Sequence, residues 1–436
     1  MKTILYLLIT ISLVGCDSFL DVKPKGKLVP QTVEDFDLML NDLGVTTGAD
    51  IALKDPYLMI DASKESALWG TNLSSAIDAA YNQFYSNLYT CNFILENIDV
   101  AESVSGSDEL RKVVKRDALA DRAATLFLLA NNYGHHYSVT ADKDIATPIK
   151  LNTNIEEDIP NGTIKEFYTQ IIEDLTEAKT IYNQDNERIY NCSRASNLGI
   201  DGLFAKVYLF MNDHEAAFTY ANACLNNHSK LYNYNDLEAG EVPVRYYSNE
   251  ENIWFKTPKP AVNFIDWRFS ADIAELFDKA NDFRWTFYAG VENADGSYSR
   301  NDVQQVSPNS LVSVADILLI RAECYAKMNE VEKACDDLHT LRSTRVNADS
   351  YTKLETTDKD VALSWIKEER VRELAFSVNN LWDLKRYYAE GRDVPTFTRN
   401  WEVLPETYTL EPGSDKYYLE IPAEVFELSD QIKPNK

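Results

Sequence analysis

The sequence predicts a mostly α-helical fold in which repeated helix pairs support a loop-rich, aromatic-rich face. Three observations lead to this prediction. Apolar residues recur at spacings of three and four over long segments, which is the pattern of a helix with one buried face. Two of these segments repeat each other position by position. Stretches rich in Trp, Tyr, Phe and Pro, without helical periodicity, lie between and after them.

The N-terminal residues have the form of a signal peptide. An early charge precedes an apolar run over residues 4–14, which is shorter than the roughly 20 apolar residues of a membrane-spanning helix. The run ends in Leu13-Val14-Gly15-Cys16, which resembles the lipobox of bacterial lipoproteins. We therefore predict a signal peptide over residues 1–15 and a lipid on Cys16. Residues 16–30 are polar and interrupted by prolines, and they are predicted to be a tether.

The chain is strongly acidic. It has 43 Lys and Arg residues against 69 Asp and Glu residues, which gives a formal net charge of −26 at pH 7. Nucleic-acid binding depends on cations that neutralise phosphates, so this balance argues against a nucleic-acid partner. It also argues against a protein that lies flat on an anionic membrane. The lipid is therefore the only predicted attachment to a membrane.

Eight segments have the periodicity of amphipathic helices. One of them begins with Thr163 and Glu166 at the spacing of a capping box. Another, over residues 361–388, is predicted to be a single long final helix. The complete set covers residues 75–98, 114–133, 163–182, 197–211, 215–225, 312–328, 331–344 and 361–388.

Two of the predicted helical hairpins carry the same residue pattern. Each has a small residue, an aromatic residue one turn later, a polar corner and a second small residue. Ala205, Tyr208, Met211, Asn212, Asp213 and Ala217 match Ala322, Tyr325, Met328, Asn329, Glu330 and Ala334 at identical spacing. Such a pattern is tetratricopeptide-like, because small residues let two helices approach closely. We predict such pairs within about residues 75–228 and 311–388.

Segments 232–310 and 391–436 are aromatic-rich and irregular in pattern. Irregular segments of this length are uncommon unless they are functional, so we expect ligand binding there. Trp69 and the pair Trp267-Arg268 are candidates, because aromatic rings stack on sugar rings or on the side chains of peptides. The sequence has no clear linker, so residues 31–436 are predicted to form a single domain.

The chain has no recognisable catalytic motif: HExxH, GxSxG, P-loop and GxGxxG patterns are absent. His135 and His136 are adjacent, so they are predicted to point in different directions rather than to bind one metal. Glu368 and Arg372 lie four residues apart on a predicted helix, the usual arrangement of a surface ion pair. We therefore expect no catalysis, no cofactor and no metal.

The remaining cysteines are scattered, without a CxxC motif. They are Cys91, Cys192, Cys224, Cys324 and Cys335. Most lie in apolar helical patterns, where a free cysteine behaves as a small hydrophobic residue. We predict that they are core residues, with one disulfide possible and none required.

Several further motifs occur in order along the chain. They are Cys16-Asp17-Ser18-Phe19-Leu20-Asp21 followed by Pro24, an alanine-rich segment over residues 117–134, Ile320-Arg321-Ala322-Glu323 with Leu341-Arg342, Glu369-Arg370 with Glu373-Leu374 and Asp383-Leu384-Lys385-Arg386, and Tyr418-Leu419-Glu420-Ile421-Pro422. Together they resemble the SusD/RagB family of outer-membrane nutrient-binding lipoproteins of Bacteroidota. Two positions depart from the family pattern. Ser377-Val378-Asn379-Asn380 stands where the family often has glutamate-glycine-x-arginine, and Glu420 replaces a proline.

The resemblance implies a SusD-like fold of four tetratricopeptide-like pairs and a function in nutrient uptake. Such a protein captures a glycan outside the outer membrane and delivers it to a SusC-like TonB-dependent transporter. It docks through its repeat face and performs no chemistry. The implied location is the outer membrane, with a lipid anchor and exposure at the cell surface.

By position in the family, the expected ligand-binding residues lie in the N-terminal and middle segments. They are Tyr57, Asp61, Trp69, Trp267 and Arg268. Asp282-Phe283-Arg284 resembles a framework motif of the family, so Arg284 and Trp285 are expected to be structural.

Three alternatives stay open at this point. The same architecture could bind peptides or another non-glycan nutrient, since the chain has only seven Trp residues. It could instead be a scaffold that assembles other proteins in its helical grooves. A surface hydrolase is the third, and the missing catalytic motifs argue against it.

Overall fold

The computed structural model describes residues 30–41, 43, 54–59, 69, 75–183, 192–238, 241, 249–256, 268–301, 310–400 and 406–435. Within these residues the protein is mostly helical, as predicted. The α-helices are α1 (Val33–Asn41), α2 (Ser75–Asn97), α3 (Asp108–Tyr133), α4 (Ile164–Ile181), α5 (Asn197–Phe210), α6 (His214–Asn227), α7 (Ala271–Ala274), α8 (Phe283–Tyr288), α9 (Val314–Lys327), α10 (Val331–Arg342), α11 (Lys359–Glu373), α12 (Asn379–Ala389) and α13 (Ala423–Leu428).

Short antiparallel strands connect the helices. They are β1 (Leu58–Met59), β2 (Ile145–Pro148), β3 (Asn161–Thr163), β4 (Asn252–Phe255), β5 (Arg268–Phe269), β6 (Ala289–Glu292), β7 (Tyr298–Arg300), β8 (Ser310–Ser313), β9 (Phe397–Arg399) and β10 (Tyr408–Leu410). They form one sheet in the order β1–β5–β7–β6 and the pairs β2–β3, β4–β8 and β9–β10. The segments that lacked a helical pattern therefore contain strands, which are too short to give a recognisable alternation of apolar and polar residues.

The helix boundaries follow local capping. In α4 the Thr163 hydroxyl accepts a hydrogen bond from the Glu166 N–H, and the Glu166 carboxylate accepts one from the Thr163 N–H, so the predicted capping box is confirmed. Helix α3 begins at Asp108, six residues before the predicted start at 114. Its cap is Ser107, whose hydroxyl accepts a hydrogen bond from the Leu110 N–H at 3.1 Å. The first turns of α3 are mostly polar, so the pattern of apolar residues did not reveal that the helix begins there.

The two matching hairpins have the same geometry, which confirms the predicted repeat. Their corner residues, Asn212 and Asn329, both adopt left-handed backbone conformations, with φ values of 60° and 64°. The N–H after each corner donates to the carbonyl of the repeat tyrosine, at 2.9 Å for Tyr208 and 2.8 Å for Tyr325. Asparagine tolerates this region better than most residues, which explains why it stands at both corners.

At equivalent positions, the two helices of each hairpin are held together by different side-chain interactions. In the first hairpin Phe204, Tyr208 and Tyr220 form a stack, with 4.4 Å between the ring centroids of Phe204 and Tyr220. In the second, Arg321 and Asp337 occupy the positions of Phe204 and Tyr220 and form a bidentate ion pair at 2.8 and 2.7 Å. The same backbone geometry therefore accommodates an aromatic stack in one hairpin and an ion pair in the other.

The predicted long final helix is wrong in two respects. Helices α11 and α12 are separated at Phe376, which has a φ of 60° and cannot continue a helix. A short helix, α13, also follows near the C-terminus. The break places Phe376 in the core, where its ring stacks on Phe269 with centroids 4.4 Å apart. The segments on both sides of the break are helical, and no Gly or Pro marks the break, so the sequence pattern does not reveal it.

The charged run of α11 is mostly buried, although its Glu368–Arg372 spacing is typical of a surface ion pair. Glu368 is 42% exposed and lies 3.6 Å from Arg372, a partly exposed pair that matches the expectation. Glu369, by contrast, is fully buried and binds Arg284 at 2.7 Å. Arg370 is 1% exposed and binds Asp316 and Asp383 on neighbouring helices. This run therefore joins helices inside the protein.

The five cysteines that follow the N-terminal segment are buried, which confirms their prediction as core residues. Burial raises the pKa of Cys192 to about 11, so its thiol stays protonated at neutral pH. None of the helices in the described ranges has the length and apolar character needed to cross a bilayer.

We expect replacement of Arg284 by Met to lower the free energy of unfolding by about 3–5 kcal/mol. The side chain is fully buried between Asp282, Glu369 and Glu373, so its loss leaves three carboxylates without this cation. Urea denaturation measures the effect. Lys353→Met is the control, because Lys353 pairs with Asp336 at the surface and such pairs contribute about 0–1 kcal/mol. Equal stability of the two variants would contradict a structural role for Arg284.

Candidate functional site

The sheet of β1, β5, β7 and β6 brings together two segments that are distant in sequence. Leu58 pairs with Phe269, and Phe269 pairs in turn with Tyr298. Next to this ladder, the N–H of Ser270 donates to the carbonyl of Tyr57 at 3.0 Å. The N-terminal and middle segments, from which ligand-binding residues were predicted, therefore meet at this sheet.

Arg268 is the exposed cation of β5. Its side chain is 45% exposed, and its ion pair with Asp295, itself 39% exposed, spans 3.9 Å. An exposed pair at this distance contributes little to stability, about 0–1 kcal/mol. The guanidinium is therefore accessible to solvent, and its role in ligand binding stays a prediction.

Tyr57 and Trp69 lie in the interior instead. Trp69 is 1% exposed, its indole N–H donates to the Lys54 carbonyl at 2.9 Å, and the Arg399 guanidinium lies 4.4 Å from its ring centroid. Tyr57 is 7% exposed and packs edge-on against Phe397. Both rings are therefore packed inside the protein in this arrangement, and their role in ligand binding stays a prediction. Trp69 was a candidate because of its residue type, but whether a ring is buried depends on tertiary packing.

Three predicted residues, Cys16, Asp61 and Trp267, lie outside the described residues. Their roles in lipidation and ligand binding stay predictions.

The structure adds a group that the sequence did not single out, and we call Lys279, Trp285 and Tyr298 the aromatic corner. Trp285 meets Tyr298 edge-on with centroids 4.8 Å apart. The Lys279 ammonium lies 5.3 and 4.8 Å from the two ring centroids and donates to the Tyr298 hydroxyl at 3.2 Å. Both rings are half-buried. The aromatic corner thus has apolar edges, a hydroxyl and a cation close to solvent.

Trp285 was expected to be structural, and one face of its ring does pack inside the protein. Its ring is stacked against Phe269 at 6.1 Å, with an angle of 14° between the ring planes. Phe269 is in turn stacked on Phe376, over which the Arg300 guanidinium lies at 4.9 Å. A continuous aromatic stack therefore connects the break between α11 and α12 to the aromatic corner. The turn at Asp295-Gly296, visible in the sequence, is what folds Tyr298 back onto this stack.

Asp55 anchors the N-terminal side of the sheet from inside the protein. It is fully buried, and its carboxylate accepts hydrogen bonds from the Tyr57 N–H at 2.9 Å and the Asn380 amide at 3.2 Å. Burial raises the pKa of Asp55 to about 7, against the opposing effects of these two hydrogen bonds and of the Arg399 cation. Asn380 belongs to the segment that departs from the family pattern, so this departure has a defined role in the packing.

Among the described residues, no group of His, Cys, Asp and Glu side chains is arranged to hold a metal ion. The sheet and its aromatic corner present ring edges, a hydroxyl group and two cations at or near the surface. Groups of this kind can bind a ligand by apolar contacts and by hydrogen bonds.

Two family models match the chain over most of its length. The model described as "SusD family" matches residues 275–434, and the model described as "Starch-binding associating with outer membrane" matches residues 18–209. The chain therefore belongs to the SusD family, as its motifs implied. No curated protein matches the chain in sequence.

Solved structures with the same fold come from Bacteroides species. The chain is similar to a SusD superfamily protein of Bacteroides thetaiotaomicron, with 17% identity, a TM-score of 0.74 and coverage of 93% of this chain and 100% of that one. A SusD-like carbohydrate binding protein of Bacteroides vulgatus has 20% identity and a TM-score of 0.70, covering 92% and 98% of the two chains. A SusD superfamily protein of Bacteroides fragilis has 19% identity and a TM-score of 0.73, covering 92% and 99%. At these identities the likeness establishes the SusD-like fold.

We expect Asp55→Asn to stabilise the protein at pH 8 by on the order of 2 kcal/mol and to have little effect at pH 4. The folded-state pKa of about 7 lies above the ordinary value of 3.8, so the folded state binds this proton more tightly than the unfolded state does. Stability is therefore lost as the pH rises from about 4 to about 7, and an amide removes that loss. The Asn380 amide can rotate to accept a hydrogen bond from the new amide.

Urea denaturation across this pH range measures the difference between the two proteins. Asp349→Asn, at an exposed loop position, is the control and is expected to leave the pH profile unchanged. A variant at Asp55 with the wild-type pH profile would contradict the assignment.

Proposed function

We propose that the protein is a cell-surface substrate-binding lipoprotein that captures an oligosaccharide or polysaccharide and delivers it to a SusC-like TonB-dependent transporter. The observation that carries this proposal is the aromatic corner, whose Tyr298 lies on β7, next to the strand β5 that carries the exposed Arg268. The family description as starch-binding and the carbohydrate-binding relative with the same fold support a glycan as the ligand.

The chemistry of the aromatic corner suits a sugar. The apolar edges of Trp285 and Tyr298 can pack on the C–H faces of a pyranose ring. The Lys279 ammonium and the Tyr298 hydroxyl, which now bind each other at 3.2 Å, can each form hydrogen bonds with sugar hydroxyls. The stack behind Trp285 fixes its ring in place, so ordering this side chain costs little free energy on binding.

Binding without turnover follows from this arrangement. Stacking and hydrogen bonds hold a glycan reversibly, and release to a transporter requires that the glycan remain intact. In this proposal the helical repeats dock against the transporter, and the lipid on Cys16 with the tether over residues 16–30 keeps the protein beside it.

We expect the purified protein to bind starch, or another polysaccharide of a panel with inulin, xylan and pectin. The double variant Trp285→Ala/Tyr298→Ala should weaken that binding at least tenfold, because it removes both ring contacts, and tenfold corresponds to about 1.4 kcal/mol. Arg268→Ala should weaken it as well. Affinity electrophoresis and isothermal titration calorimetry are the measurements.

Lys353→Ala is the matched surface control, and circular dichroism checks the fold of each variant. Wild-type affinity in the double variant would rule out the aromatic corner as the binding site. Binding of a casein hydrolysate together with silence across the polysaccharide panel would favour the peptide-binding alternative.

We expect Cys16→Ala to move the protein from the membrane fraction to the soluble fraction, because it removes the only atom that takes the lipid. Metabolic labelling with radioactive palmitate and cell fractionation measure this. In the wild type, mass spectrometry after extraction in mild detergent should identify a TonB-dependent transporter together with the protein. Palmitate incorporation into the variant would contradict lipidation at Cys16.

A further inference from the structure

A second concave site lies away from the sheet, at the ends of the helical pairs. It is a cleft of about 560 Å³ between the loop that follows α3, the start of α4, the corner of the α5–α6 hairpin and the end of α12. This volume lies within the range of about 300–1,000 Å³ that is typical of small-molecule sites. We call it the hairpin cleft.

Three polar side chains of the hairpin cleft are exposed and unengaged. Asp142, Lys165 and Asn212 line it, and within the described ranges none of their side chains has a hydrogen bond or ion pair. Met211 and Ala389 supply apolar surface beside them. A carboxylate, an ammonium and an amide beside aliphatic surface form a set of donors and acceptors that suits a polyhydroxylated molecule.

The hairpin cleft also contains a buried imidazole with an unpaired ring nitrogen. His136 is 6% exposed, and its Nδ1 has no hydrogen-bond partner within the described residues. Burial, together with the nearby Arg386 and Lys385, holds the pKa of His136 well below its usual range, so the ring is neutral at neutral pH. A buried polar atom without a partner costs free energy, which a hydroxyl group can offset because it both donates and accepts hydrogen bonds.

The walls of the hairpin cleft are fixed before any ligand arrives. The N–H of Lys165 donates to the Ala141 carbonyl at 2.8 Å, which ties the loop after α3 to the first turn of α4. Tyr137, which also lines the cleft, packs on Tyr168 with centroids 5.0 Å apart. At the opposite wall Asn212 is held in its left-handed corner conformation. A site with a rigid frame loses little entropy when it binds a ligand.

The charges of the hairpin cleft balance. Lys165 and Asp142 carry opposite charges, and Glu390 is neutralised by Lys327 and Arg386, each at 2.9 Å. An ion of either sign therefore gains little net attraction. We propose that the hairpin cleft binds an uncharged polyhydroxylated molecule of one or two sugar rings, at a site separate from the aromatic corner.

Histidine side-chain ¹⁵N NMR on the full chain tests this site with glucose, maltose and cellobiose as probes and with the dipeptide Gly-Leu as a zwitterionic comparison. We expect at least one saccharide to shift the His136 ring nitrogens, with an affinity at least tenfold weaker in Asp142→Ala/Lys165→Ala. That variant leaves the net charge unchanged and alters only exposed side chains.

One control separates this site from the rest of the protein. Asp336→Ala/Lys353→Ala removes a surface pair of the same charges and should bind as the wild type does. No saccharide response, a response to the dipeptide alone, or undiminished saccharide binding in the cleft variant would each overturn the proposal. The His136 signals report on the hairpin cleft, whereas polysaccharide binding by Trp285→Ala/Tyr298→Ala reports on the aromatic corner. Failure of the hairpin cleft and failure of the proposed function therefore give different results.

Discussion

Arg284 and Arg345 contact the carboxylates of Glu369 and Glu373 in the interior, at distances of 2.7 to 2.8 Å. They belong to a network of four arginines and four carboxylates. Its members are Arg284, Arg342, Arg345 and Arg372 with Glu251, Asp282, Glu369 and Glu373. Although burial alone would raise it, the surrounding arginines hold the pKa of Glu369 well below its usual range. Removing one member would leave the buried network with an uncompensated charge, so the network tolerates little change.

The position of this network explains how a mostly helical protein holds the sheet for which we propose a binding role. Its residues come from α11, from the end of α10 and from the middle segment that contains α8 and β5–β7. Ion pairs with the helices help to fix the described part of the middle segment in place. Helix α11 ends at Glu373, and Phe376 follows three residues later. The ring of Phe376 begins the aromatic stack that ends at the aromatic corner. The same helix end thus supplies both the charges and the ring that position the site.

Much of the fold could be predicted because helices and repeats leave local signals. The Thr163 capping box, the Asn212 and Asn329 corners and the paired alanines all follow from residue type and spacing. The site was less predictable. Arg268 is exposed as expected, whereas Trp69 and Tyr57 are buried, and the aromatic corner came from residues assigned to the framework or left unassigned. Whether a Trp ring faces solvent depends on which distant segment covers it, and Arg399 lies more than 300 residues beyond Trp69.

By itself, the sequence determined the helical class, the repeat, the family and the candidate lipobox, because each is written in residues that are near neighbours along the chain. Only the tertiary structure decided that the charged run of α11 is interior, that Phe376 divides the last long helical pattern, and that Lys279, Trp285 and Tyr298 meet at one corner. These outcomes depend on contacts between distant segments. Burial and the pairing of charges are set by the total of those contacts, and a local pattern holds no record of them.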